Sequence, residues 1–125
     1  MPAKEPPSYA ILVLERSHAL LTLCTVLRDA GITPFATPDP DEIRAWLHIT
    51  DPRAKLVAIV IGDHVHQATQ LLNELAPTGW LPRIAVSNSH EWLLEMVRGS
   101  FNEGCPANQL TAVLLYALRL SPEFA

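Results

Sequence analysis

The sequence predicts an α/β fold, a doubly wound, five-stranded parallel sheet of strand order 2-1-3-4-5 with five helices divided between its faces. Three observations carry this. The first is the apolar run Leu56-Val57-Ala58-Ile59-Val60-Ile61, rich in β-branched residues and closed by Gly62-Asp63. It is too short for a buried helix and has the composition of a strand covered on both faces. The second is a regular alternation of short strand-like runs with helical patterns, and the third is the shortness of every connection between them. Right-handed crossovers then give one packed sandwich.

In chain order, residues 9–14 (YAILVL) form the first strand. A loop, Glu15-Arg16-Ser17, leads into a helix with Ala19, Leu20, Leu23, Cys24, Val26 and Leu27 at helical spacing, stopped by Gly31. Residues 32–36 form a brief second strand. Asp39-Pro40-Asp41-Glu42 is a helix start, with Asp39 as cap, Pro40 in the first turn and Glu42 three residues after the cap. Ile43, Trp46 and Leu47 supply its buried stripe. The turn around Asp51-Pro52 opens onto the central strand.

Residues 67–75 predict a helix burying Leu71, Leu72 and Leu75, broken at Pro77-Thr78-Gly79. Ile84 to Val86 is the fourth strand. Ser89 caps a helix carrying Trp92, Leu93, Met96 and Val97, with Glu91 in its first turn and Arg98 in its last. Phe101 marks a weak fifth strand, and residues 108–120 form the last helix. Residues 1–8 are expected to be a loose, proline-rich tail, and 9–121 one domain, as 125 residues with 49% apolar and 18% charged content allow.

A net charge of −4 and nine scattered basic residues leave no electrostatic footprint for direct nucleic-acid binding. No apolar run approaches the roughly 18 residues of a membrane span, and no signal-peptide pattern is present. Cys24 in a helical pattern and Cys105 in a late loop match neither a disulfide framework nor a zinc spacing, so two reduced thiols and a cytoplasmic location are expected.

In parallel sheets chemistry sits at the carboxyl ends of the strands, which directs attention to Gly62, Asp63 and His64. The layout, with Ile11-Leu12-Val13-Leu14-Glu15-Arg16 at the front and Leu81-Pro82-Arg83-Ile84-Ala85-Val86-Ser87 later, resembles the receiver domain of bacterial response regulators, a flavodoxin-like three-layer sandwich. The resemblance covers nearly the whole chain. It implies an aspartate phosphoacceptor at the end of the third strand, an acidic pair after the first strand that holds Mg²⁺, a Ser or Thr and a Lys. Such groups suit the chemistry, because a hard cation takes oxygen ligands and the transferred phosphoryl must be neutralised.

Matched residue by residue, Glu15 keeps one acid of the pair and Arg16 replaces the other. The acceptor position falls on Val60, or on Gly62 with the register moved by two. Ser87 matches the hydroxyl position, and Cys105-Pro106 stands for the Lys-Pro after the fifth strand. This is a degenerate site. Arg16 is expected to pair near Glu15 and to fill the vacated metal position with a fixed charge. Asp63 reads as a loop carboxylate, with a displaced phosphoacceptor as the sharper alternative. His64 and His66 beside it are expected to be solvated, as are His18, His48 and His90, and neither metal nor cofactor is expected.

Within that class, LVAIVIGD, LLNEL, GWLPRIAVS and the late ANQLTAVLLYAL resemble the amino-terminal domain of FleQ-type flagellar transcription regulators. The resemblance implies a receiver-like, non-phosphorylatable, non-enzymatic regulatory module that precedes an AAA+ ATPase domain working with the enhancer-dependent sigma factor, sigma-54. No Gly-rich phosphate loop for such an ATPase is present in this sequence. A free-standing adaptor for a partner protein is the other alternative.

The last helix is apolar or small at nearly every position from Leu110 to Leu118, wider than the one stripe that covers a sheet. A homodimer surface is therefore expected from Leu115 and Tyr116 together with Trp92, Leu93 and Met96, since aromatic and Met side chains commonly anchor such surfaces.

Overall fold

A computed structural model describes residues 7–50, 53–62, 82–89, 91 and 103–120. The described elements are β1 (Ser8–Val13), α1 (His18–Asp29), β2 (Ile32–Ala36), α2 (Pro40–Ile49), β3 (Lys55–Gly62), β4 (Arg83–Val86), β5 (Glu103–Cys105), a 3₁₀ turn (Ala107–Gln109) and α3 (Leu110–Leu120). The helices expected over 67–75 and after Ser89 lie outside the described residues, as do Asp63, His64, His66 and His90.

All strands are parallel, in the order β2-β1-β3-β4-β5. The order is the one the sequence predicts. Period-two alternation sends Ala10, Leu12, Ala58, Val60, Ile84 and Val86 to one face, where α1 and α3 cover them. It sends Tyr9, Ile11, Val13, Ile59, Ile61 and Ala85 to the other, under α2. The β1–β3 register shifts between Tyr9 and Ala10, so that Leu56 pairs with Tyr9 but Ala58 with Ala10. Val57 is the extra residue, and it joins Ala58 on the α1/α3 face.

α1 starts where Ser17 Oγ accepts the Leu20 N–H at 3.2 Å, and it buries Leu20, Leu23, Cys24 and Leu27 at i, i+3, i+4 and i+7. It ends through Ala30 and Gly31, whose φ of 80° is left-handed and favours glycine. Two residues, Ala30 and Gly31, reverse the chain into β2.

The start of α2 departs from expectation in one respect. Asp39 is the cap and its carboxylate accepts the Asp41 N–H at 2.9 Å, but Glu42 does not reach back to Asp39. The buried Thr37 hydroxyl intervenes: it accepts the Asp39 N–H at 3.1 Å and donates to Glu42 Oε2 at 2.7 Å. Thr37→Val, nearly isosteric, leaves both partners without it and is expected to cost about 1–3 kcal/mol in urea unfolding. Farther along, Trp46 stacks on Phe35 (4.5 Å, 15°) and meets Tyr9 edge-on (5.0 Å, 66°), closing the α2 layer.

Near the chain's end one expectation is corrected. The fifth strand is Glu103–Cys105, paired to β4 through Ile84↔Glu103, Ala85↔Gly104 and Val86↔Cys105, whereas Phe101 lies outside the described residues. Cys105 accordingly ends a strand instead of lying in a loop. A Glu-Gly-Cys strand carries no apolar alternation, so pairing with β4 and not local propensity makes it a strand.

β2 is an edge strand, and the Thr37 N–H bonds the Leu12 carbonyl at 3.0 Å. Alternation then points the nitrogen of Pro34, three residues before that donor and so out of phase with it, toward the free edge, where no N–H is available to pair with an added strand.

Candidate functional site

The carboxyl ends of β1, β3 and β4 converge with the start of α1 and the turn before α3 on a cleft of about 210 Å³. Glu15, Ser17, Gly62, Ser87 and Asn88 supply its polar lining, and Leu14, Leu20 and Leu110 much of its apolar wall. This is the position the sequence singles out by the strand-end rule.

Of the two residues proposed for the acceptor position, only Gly62 reaches the cleft. Val60 is fully buried in the core on the α1/α3 face. Gly62 has no left-handed φ, so its glycine identity answers to proximity. A Cβ built there would stand 3.0 Å from Leu14 Cδ2 and 3.5 Å from the Val13 carbonyl oxygen. Leu14, almost fully buried, therefore crowds the first atom of any acceptor side chain at this position. The sequence shows Leu14 only as the last member of an apolar run, and nothing in that pattern signals its contact with a residue 48 positions later.

Glu15 is exposed and lines the cleft, but the ion pair expected with Arg16 is not formed among the described residues. Arg16 does not fill the cleft either. It lines an adjoining groove, with Leu21, Cys24 and Arg28 of α1 and Ala36, Thr37 and Pro38 after β2.

Ser87 is buried, its Oγ accepts the Ser89 N–H at 2.9 Å, and its own N–H donates to the Cys105 carbonyl at 3.1 Å. The hydroxyl thus shapes the turn after β4. Cys105, where the resemblance implies lysine, is 2% exposed and packed in the core. A buried thiol brings no positive charge to the cleft. The described lining offers one carboxylate and no cation, which neither coordinates a divalent ion well nor neutralises a phosphoryl group. Among the described residues no group of three or more His, Cys, Asp or Glu is placed to hold a metal.

No protein-family model and no curated protein matches the chain. The architecture itself is receiver- and flavodoxin-like, and is consistent with a receiver-like regulatory domain. Among the described residues no helix is long and apolar enough to cross a membrane.

Of the expected dimer surface, Trp92, Leu93 and Met96 lie outside the described residues. On α3, Leu110, Leu114 and Leu118 face the core, with Val113 and Ala117 packed partly against it. Leu115 is half-buried and Tyr116 is 65% exposed, so the outer side of the helix presents an aromatic ring to solvent.

Proposed function

We propose that this chain is a non-enzymatic, receiver-like regulatory module that takes no phosphoryl group, dimerises, and acts through oligomer geometry. In the FleQ-type setting its resemblance suggests, it positions or restrains an AAA+ ATPase domain of a flagellar or biofilm regulator that works with sigma-54. The observation that carries this proposal is Gly62 under Leu14: the strand end that would hold an acceptor carboxylate has no side chain and lies tight against an apolar one. Cys105 in place of a lysine and Arg16 turned away from Glu15 support the same conclusion.

We place the dimer surface on the outer side of α3, around Leu115 and Tyr116, and propose Trp92, Leu93 and Met96, outside the described residues, as its other members. Tyr116→Glu alters a side chain that contributes little to the core, so its expected effect falls on association alone. Sedimentation velocity across a concentration series should show dimerisation weakened by about tenfold or more, with the melting temperature of the monomer unchanged. An equally tight Tyr116→Glu dimer, or a wild-type monomer at every concentration, contradicts the assignment.

A further inference from the structure

The groove that holds Arg16 adjoins the cleft, sharing Leu14 and Leu20 with it, but opens toward β2 and the start of α2 through Ala36, Thr37, Pro38 and Glu42. Its floor is apolar, made by Leu20, Leu21 and Cys24 of α1 with Pro38 opposite, and its ends carry Arg16 and Arg28. Leu21 is 50% exposed, although its neighbours Leu20 and Cys24 are buried. Neither arginine makes an ion pair among the described residues, in a chain of net charge −4. The acidic residue in the lining, Glu42, already accepts a hydrogen bond from the Thr37 hydroxyl.

We propose that this groove docks an amphipathic, acidic helix of a partner protein. Arg16 precedes α1 and Arg28 lies in its last turn, so their attachment points are separated by about the length of the helix, 12 residues or roughly 18 Å at 1.5 Å per residue, about three helical turns. Two carboxylates near the ends of a three-turn helix, with Leu-type side chains between them on the same face, match both the charges and the apolar floor. An extended strand fits less well. A further depression sharing Arg28 follows β2 through Gly31, Ile32, Thr33 and Pro34, but Pro34 removes the donor in the middle of that edge. Side chains rather than a backbone ladder must therefore hold the occupant, as in helix-in-groove recognition.

The probe is a capped peptide of about 16 residues with Leu at i, i+4 and i+7 and Glu flanking them one turn beyond at each end, titrated into the full ¹⁵N-labelled chain. A matched peptide with Lys for Glu is the control. Amide shifts should concentrate at Leu21, Cys24, Arg28, Ala36 and Thr37. Arg16→Glu and Arg28→Glu, both at exposed positions, should each weaken binding about fivefold or more, and raising salt from 50 to 500 mM should weaken the wild-type complex. No shift at these amides at millimolar peptide, equal binding of the Lys peptide, or unaltered affinity in both variants would overturn the proposal. So would the same shifts arising from protein concentration alone, which would make the occupant a second copy of the chain.

Discussion

Leu114→Ala is expected to lower the unfolding free energy by about 2–5 kcal/mol, while Leu115→Ala, one residue on, costs below about 1 kcal/mol. Leu114 is fully buried at the centre of the stripe Leu110, Leu114 and Leu118, against the strands and α1. Its truncation leaves a cavity in a layer whose other helix, α1, contacts α3 directly and cannot close the gap without shifting on the sheet. Leu115 is turned toward the flank and is half-buried. Urea unfolding monitored by far-UV circular dichroism separates them. Equal losses at the two positions would mean that α3 is rotated from the placement described here.

Gly62→Asp, the substitution that places a carboxylate at the strand end, is expected to destabilise the fold by about 1–3 kcal/mol, a loss of several degrees in Tm, without creating a phosphoacceptor. Leu14 must give by a few tenths of an ångström to admit the new Cβ, and the carboxylate then enters a partly apolar cleft with Glu15 as a second negative charge. Leu14→Ala should relieve part of that loss, so that the double variant is more stable than the sum of its two single effects. Purely additive losses in calorimetry would separate Leu14 from Gly62 and weaken the account of this strand end.

Much of the fold is legible in the sequence because its signals are local. The β3 run, the α1 periodicity and the Asp39-Pro40 start each report a structure settled within about ten residues, and the strand order follows from their succession. β5 is not legible, since Glu103-Gly104-Cys105 becomes a strand only through its pairing with β4. The site is legible to a lesser degree. Gly62 and Ser87 fall at the strand ends where pattern places them, yet the contact of Leu14 with Gly62 and the outward turn of Arg16 depend on packing between segments far apart in sequence. Thr37 shows the same limit on a smaller scale: the spacing of Asp39 and Glu42 suggests a reciprocal cap, but a buried hydroxyl two residues earlier takes both partners.

The most direct test of the central claim is sedimentation velocity over a range of concentrations, with and without Mg²⁺ and beryllofluoride, which mimics an acylphosphate. A concentration-dependent dimer whose association is the same with and without the additives is the predicted result. A monomer that dimerises only with the mimic, and ceases to do so in Asp63→Asn, would show a working acceptor beside Gly62 and contradict a phosphorylation-independent module.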